Sequence, residues 1–170
     1  MPDFVVQFGL AAVPKTFNQF RSAIKDDPVL PEYSNDRGTI TFATSGTNTR
    51  TSQLFINLGS NKFLDAKGFS PIGKVLGNGM SVIDRIQPKY GEEPSQEEIQ
   101  NKGNVYLDDK FPLLSYFESW KTIVGRSYDS MNSDKCRCFD TFLFFCVIFI
   151  IWPANFMDTI SGFFFSCIFI

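Results

Sequence analysis

Histidine is absent from the 170 residues, and cysteine is absent from the first 120. The missing imidazole excludes Ser/His and Cys/His catalysis and any metal site built on histidine. The four cysteines follow later, at Cys136, Cys138, Cys146 and Cys167. Cys136-x-Cys138 has no second ligand pair, so we expect no metal and no cofactor. A domain that folds without disulfides is compatible with the cytosol.

Positive charge is also scarce. A formal net charge of -2 and a pI near 5.1 leave no basic stripe to neutralise phosphates, which argues against nucleic-acid binding. The start of the chain lacks the basic segment and the continuous apolar run of a signal peptide. With 44% hydrophobic and 20% charged residues, the composition suits one globular domain with an appended segment.

The central stretch, residues 38–58, predicts two strands joined by a polar loop. Residues 39–42 and 54–58 are rich in β-branched, aromatic and aliphatic side chains, as strands are. Because side chains alternate along a strand, Gln53, Phe55 and Asn57 share one face, and Leu54, Ile56 and Leu58 share the other. We expect a sheet that buries the aliphatic face and directs Gln53 and Phe55 towards a ligand.

Other strands and turns surround this stretch. Residues 4–8 alternate as a strand that ends at Gly9, with Phe4, Val6 and Phe8 on one side. Residues 11–36 predict a surface connection, either a plain loop or a loop with one helical turn at residues 17–24. After a turn at residues 59–62 comes the Phe63-Leu64-Asp65 segment, where Asp65 is expected to form a turn.

The later segments combine strands with short helices. Residues 69–76 and 104–107 favour strands, and residues 80–87 favour a short amphipathic helix. Ser95 and Glu98 form a capping-box pattern ahead of a helix that Gly103 ends. Apolar residues at 111–120 would pack the rim of the domain. Four further carboxylates are expected in solvated loops, namely Asp26, Asp27, Glu92 and Glu93. Short strands with few helices predict a mainly β domain, either a barrel or a sandwich.

The order of motifs resembles the cyclophilin-type peptidyl-prolyl isomerases over roughly residues 2–117. The motifs are Phe4-x-x-Gln7-x-Gly9, Gly38-Thr-Ile-Thr-Phe-Ala43, Asn48-Thr-x-x-Ser-Gln-x-Phe-Ile56, Phe63-Leu64-Asp65 and Gly73-Lys74-Val75. The resemblance implies an eight-stranded antiparallel barrel with two capping helices and a ligand groove over one outer face. It also implies a protein-folding enzyme that isomerises X-Pro bonds.

By the same resemblance, Phe4, Phe55 and Leu64 line a proline pocket, Gln7 binds the peptide backbone, and Ala43 with Thr44 pairs to the bound peptide. The implied groove residues are Phe4, Gln7, Ala43, Thr44, Gln53, Phe55, Phe63, Leu64 and Phe69. Phe63 stands where many members have Trp, and Phe69 where several have His. The alternative interpretation is that the three pocket residues are ordinary core, as most aromatic residues and leucines are. The two amides beside them argue against it, since buried amides need partners.

Family members carry a Phe-x-Arg motif shortly before the position of Pro2, and its arginine donates to the twisted amide. We therefore expect residues 1–120 to be an incomplete cyclophilin-like barrel that lacks its first strands and a helix, with no catalytic residue that can be named. Arg50 is no replacement, because its matching place is on the loop rim that selects residues preceding the proline.

The C-terminal sequence has a different character. Residues 121–140 are polar and predict a linker, whereas residues 141–170 are rich in Phe, Ile and Cys, with Asp158 as the only charge. One hypothesis is a helical, marginal transmembrane anchor, with the basic residues before it placing the isomerase part in the cytosol. The other is translated non-coding sequence from a mistaken gene model.

Three functional hypotheses follow. The first is a prolyl isomerase acting on proline-containing peptides and unfolded proteins, with weak binding of cyclosporin-like ligands. The second is a catalytically impaired fragment that still binds proline-containing peptides. The third is a small membrane or scaffold protein whose truncated domain does not fold.

Overall fold

The computed structural model describes residues 3–117 and 167–169. The strands are β1 (Val5–Ala11), β2 (Thr39–Phe42), β3 (Leu54–Asn57), β4 (Pro71–Lys74) and β5 (Cys167–Phe169). The helices are α1 (Pro14–Gln19), α2 (Gly79–Ile83), α3 (Gln96–Lys102) and α4 (Asn104–Lys110), with a 3₁₀ helix at Lys62–Lys67.

The five strands form one antiparallel sheet in the order β4-β2-β3-β1-β5. In the register, Gln7 and Thr41 lie on either side of Phe55, and Val6 and Ile40 on either side of Ile56. The predicted mainly β fold is confirmed, but the described strands make an open sheet and do not close the expected eight-stranded barrel.

Both faces of the sheet are covered by apolar side chains. On one face Phe8, Ile40 and Ile56 pack with Ile83 of α2, and Leu54 and Leu58 border this cluster. The predicted aliphatic face of β3 is therefore confirmed as core. On the other face a second apolar cluster forms around Phe55. A third cluster joins the end of β1 to α3 and α4 through Leu10, Ala12, Ile99, Leu107 and Phe111.

Several predicted elements differ from the structure. The strand predicted at residues 104–107 is wrong, because this segment belongs to α4. Leu107 and Phe111, four residues apart, are both buried, whereas Val105 is 78% exposed. A strand would place Val105 and Leu107 on the same face, and a helix separates them while bringing Leu107 and Phe111 together.

Other predicted element boundaries differ from those in the structure because of local contacts or residue preferences. The first helix begins at Pro14 and not at residue 17, because the fixed φ of proline suits a first helical turn. The strand predicted at residues 69–76 shortens to Pro71–Lys74, since the Phe69 N–H donates to Leu64 O at 3.2 Å at the end of the 3₁₀ helix. The helix predicted at residues 80–87 is α2, which begins at Gly79 and ends at Ile83.

The C-terminal prediction is tested only at its end. Residues 167–169 form β5 beside β1, so a helix is not present there. The linker at 121–140 and the rest of the apolar segment lie outside the described residues. None of the helices in the described part of the chain has the length and apolar character needed to cross a bilayer.

Gly9 allows the close approach that places β1 beside the segment before β3. Its φ is +107°, and a Cβ there would lie 2.2 Å from the backbone oxygen of Ser52. The Ser52 hydroxyl donates to Gly9 O at 2.9 Å. A side chain at this position would push residues 52 and 53 away from β1.

We expect Gly9→Ala to lower the free energy of unfolding by more than the about 1–2 kcal/mol that a left-handed backbone costs other residues. The matched control is Gly91→Ala, since Gly91 also has a positive φ, of +51°, but has no atom within 4 Å of the added Cβ. Urea denaturation of the full chain measures both. Equal losses in the two variants would contradict the importance of the close approach.

Candidate functional site

The apolar cluster on the second face of the sheet brings most of the predicted pocket residues together. Phe55 of β3 and Leu64 of the 3₁₀ helix are its buried floor, with Val5 of β1. Phe4, Ala43 and Phe69 pack around that floor and are half-buried. Four segments distant in sequence thus form one apolar cluster, here called the pocket, whose outer side chains are half-buried.

Aromatic contacts set the positions of the rim. Phe69 meets Phe55 edge to face, with ring centroids 5.8 Å apart, and Phe4 stacks on Phe63 at 5.9 Å. Phe4 precedes β1 and lies on the pocket side, not with Val6 and Phe8 as the simple alternation predicts. Phe63 is 51% exposed, so it borders the pocket without forming part of its floor.

A glycine turn brings Phe69 back over the floor. Gly68 ends the 3₁₀ helix in a left-handed conformation with a φ of 85°, and its N–H donates to Asp65 O and Leu64 O. The next N–H, that of Phe69, also donates to Leu64 O, at 3.2 Å. This tight reversal, which glycine makes at no steric cost, directs the Phe69 ring onto Phe55.

Two amides lie on the same side of the sheet, one on β1 and one just before β3. The Gln7 side-chain N–H donates to Gln53 Oε1 at 2.7 Å. Gln53 in turn donates from Nε2 to Gln96 Oε1 at 3.2 Å. Gln7 lies directly across from Phe55 in the register, so polar groups with a fixed arrangement border the apolar floor.

Ala43 and Thr44 follow β2 at the edge of the pocket. The Ala43 N–H donates to Gln53 O at 3.0 Å, which ties the end of β2 to the amide pair. The Thr44 hydroxyl lies 2.9 Å from the Thr49 hydroxyl and also donates to Gly46 O. Thr44 thus orders the loop before β3.

Comparison with known proteins identifies the family of this chain. Residues 1–105 match the family described as cyclophilin type peptidyl-prolyl cis-trans isomerase/CLD. The chain belongs to this family. It is similar to a peptidyl-prolyl cis-trans isomerase of Acinetobacter baylyi, with 35% identity over 91 residues, which are 51% of this chain and 47% of the relative.

A second relative is peptidyl-prolyl cis-trans isomerase A of Dickeya dadantii, with 34% identity over 116 residues, which are 61% of this chain and 52% of the relative. The chain therefore spans about half the length of the curated relatives it matches.

A buried network of asparagines lies next to this apolar cluster and contacts the backbone of two of its residues. Asn35 and Asn57 are fully buried. Asn57 Nδ2 donates to Asn35 Oδ1 at 3.1 Å, and Asn61 Nδ2 donates to Asn57 Oδ1 at 2.8 Å and to Phe4 O at 2.8 Å. Asn35 Nδ2 donates to Phe69 O at 2.9 Å. The network therefore fixes the backbone at both aromatic ends of the rim.

Asp65 is the ionisable member of this network. Asn35 donates to its carboxylate from the backbone N–H at 2.9 Å and from Nδ2 at 2.6 Å, and Ser34 donates its hydroxyl. Burial alone would raise the pKa of Asp65, but these hydrogen bonds, with Lys62 nearby, outweigh it and lower the pKa below its ordinary value. Asp65, which the sequence predicted to form a turn, is thus a hydrogen-bond acceptor in this network.

Sequence analysis missed the ionic cluster beside the pocket. Asp26 and Asp27 lie in an exposed loop, as predicted, but they also pair with a buried cation. Arg50 lies 2.7 Å from Asp27 Oδ2 and 3.3 Å from Asp26 Oδ1, with its side chain only 7% exposed. The second contact lacks hydrogen-bond geometry, since Arg50 Nε has no hydrogen-bond partner. The guanidinium also lies over the Phe42 ring, 5.0 Å from its centroid.

This cluster lines a shallow cleft together with Thr44 and Phe69. Arg50 is therefore a structural cation that joins loop 24–28 to loop 44–52. The signal available in the sequence was the pair of adjacent carboxylates, but nothing placed them opposite an arginine 23 residues away. Within residues 3–117, no group of three His, Cys, Asp or Glu side chains could bind a metal ion.

We expect Asp65→Asn to lower the free energy of unfolding at neutral pH by about 1.5–3 kcal/mol, the range for hydrogen bonds to a charged group. The amide would leave one of the donors from Ser34 or Asn35 unpaired. Because the native pKa is lowered, the contribution of Asp65 is present above the unfolded-state pKa of about 3.9 and is lost as the pH falls through the native pKa.

The measurement is urea denaturation of both proteins at neutral pH and near pH 3. The gap between wild type and Asp65→Asn should shrink at the lower pH. Asp109→Asn is the control, since this carboxylate is 67% exposed and pairs only with the adjacent Lys110. A gap that stays constant with pH would show that ionisation of Asp65 does not stabilise the fold.

Proposed function

We propose that this chain binds proline-containing peptides at the Phe55 and Leu64 floor and accelerates cis-trans isomerisation of the X-Pro bond. One observation carries the proposal: an apolar cluster with half-buried aromatic side chains at its edge lies beside two amides that are joined by a 2.7 Å hydrogen bond. Membership of the family supports the same activity.

The chemistry of isomerisation suits these residue types. Rotation about a peptide bond is opposed by a barrier of about 18–20 kcal/mol, while the cis and trans forms of X-Pro differ by only about 0.5–1 kcal/mol. No bond is broken, so neither a nucleophile nor a cofactor is required. Catalysis needs groups that bind the twisted amide better than the planar one.

Each part of the site would contribute one interaction. The ring of the substrate proline would pack on Phe55, Leu64 and Phe69, which fixes one side of the rotating bond. Gln7 and Gln53 would exchange hydrogen bonds with the peptide backbone on the other side. Ala43 and Thr44, at the end of β2, would pair with the residues next to the proline. The same pocket would bind cyclosporin-like ligands weakly.

Binding without acceleration is the second candidate function. The polar groups that flank the pocket, Gln7 on β1 and Gln53 just before β3, are neutral amides. A neutral donor stabilises the developing charge of a twisted amide less than a cation does. An apolar pocket with neutral amides suffices to bind a proline-containing peptide in either isomer.

We expect Phe69→Ala to weaken binding of an X-Pro peptide, and any acceleration of its isomerisation, by about tenfold. The half-buried Phe69 ring packs edge to face on Phe55, and loss of most of an aromatic contact of this kind costs about 1–2 kcal/mol. Tyr116→Ala is the matched control, because it removes an aromatic side chain that is 65% exposed.

NMR exchange spectroscopy of a short Ala-Pro peptide with the full chain measures the isomerisation rate, and the peptide shifts in the same sample measure binding. Acceleration that Phe69→Ala reduces and Tyr116→Ala does not supports isomerisation at this site. Binding with an unchanged rate supports the second candidate. A folded chain that neither binds nor accelerates would contradict both.

A further inference from the structure

The amide pair of the candidate site continues onto α3. Gln96, the first residue of that helix, accepts a hydrogen bond from Gln53 Nε2 at 3.2 Å. Gln53 already accepts from Gln7 at 2.7 Å. Three glutamines from β1, the segment before β3 and α3 therefore form one chain of hydrogen bonds that ends at the edge of the pocket.

The start of α3 is fixed in place on the sheet. Ser95 caps the helix by accepting from the Glu98 N–H at 3.3 Å, while its own N–H donates to the Tyr106 hydroxyl at 3.2 Å. One turn later Ile99 is fully buried against Leu10 of β1. Glu98, which the capping-box pattern predicts to reach back to Ser95, instead pairs with Lys102.

The far end of the helix is equally constrained. The Asn104 N–H donates to Ala12 O at 3.0 Å, and a Cβ on Gly103 would lie 2.1 Å from the same oxygen. Because Ile99 packs with Leu10 of β1 and the end of α3 contacts Ala12, just after β1, the position of Gln96 relative to Gln7 is set by the fold.

The chain of hydrogen bonds has a direction. A primary amide has a donor end and an acceptor end of nearly the same shape. If Gln53 were turned over, its NH₂ group would face the NH₂ of Gln7, and its oxygen would face the oxygen of Gln96. The hydrogen bond to Gln96 Oε1 is consistent with the orientation in which Gln53 Oε1 receives the Gln7 proton. Gln7 Oε1 then remains directed to accept from another donor, such as a peptide N–H.

We propose that Gln96 is a positioning residue that holds the Gln53 amide in place against Gln7 beside the proline pocket. This inference rests on the proposed function for the consequence in peptide binding, although the orientation of Gln53 does not depend on it.

Two substitutions at Gln96 separate its acceptor from its bulk. Gln96→Glu keeps an acceptor oxygen at the same distance, and Gln96→Met keeps the length of the side chain without any strong acceptor. Gln100→Met, on the same helix one turn later, is the matched control. A carboxylate in the first turn of a helix is compatible with its dipole, so Gln96→Glu is not expected to destabilise α3.

We expect Gln96→Met to weaken binding of the Ala-Pro peptide about two- to fivefold, the range for one exposed neutral hydrogen bond. Gln96→Glu should stay within about twofold of wild type, since one hydrogen bond replaces another. In ¹H–¹⁵N spectra of the full chain, the side-chain NH₂ signals of Gln53 and Gln7 should shift in Gln96→Met and not in Gln100→Met.

The amide signals distinguish the two ways of failing. The positioning role is wrong if the side-chain NH₂ signals of Gln53 shift no more in Gln96→Met than in Gln100→Met. It is also wrong if Gln96→Glu weakens peptide binding as much as Gln96→Met does. If the Gln53 signals move as expected but wild type itself does not bind the peptide, the positioning role stands and the proposed function is wrong.

Discussion

The pocket depends on a few buried side-chain amides whose hydrogen-bonding groups must all have partners. Asn35 and Asn57 have no exposed surface, and an unpaired polar group there would cost about 1–3 kcal/mol. Their partners are spread over the fold: Thr41 on β2, Asn61 before the 3₁₀ helix and the backbone of Phe69. The network is satisfied only when these segments are in place together. It therefore couples the sheet to the loops that carry the aromatic rim.

The same network explains how one short strand serves both the core and the site. Alternate residues of β3 face opposite ways, so Ile56 packs in the main core while Phe55 forms the pocket floor. Asn57 lies on the same face as Phe55 and places an amide there instead of a further apolar side chain. Because that amide bonds to Asn35 and Asn61, the 3₁₀ helix docks beside Phe55 and brings Leu64 to the floor. Gly9 completes the arrangement by letting β1 approach residues 52 and 53.

Periodicity predicts what depends on neighbours along the chain, and it fails where distant segments decide. The strands around Ile40 and Ile56 and the capping of α3 by Ser95 were predictable, because strand alternation and helix capping are local. The 104–107 segment was assigned the wrong element, since burial of Leu107 with Phe111 against Leu10 is a long-range contact. The pocket residues came from family motifs rather than from pattern alone. The pairing of Arg50 with Asp26 and Asp27 lay beyond either method, because only the fold brings residues 23 or more apart into contact.

The division between a neutral site and a charged support has a consequence for pH. No side chain of the proposed site carries an ionisable group, so its contacts with a peptide would not titrate. These side chains are Phe4, Gln7, Gln53, Phe55, Leu64 and Phe69. The nearest titrating member of the supporting network is Asp65, whose lowered pKa keeps it ionised under all but strongly acidic conditions. As the pH falls, the free energy of unfolding would therefore decrease before the affinity for a peptide does. Peptide affinity per folded molecule should stay level while the folded fraction falls, which separates the chemistry of the pocket from the stability of the scaffold that forms it.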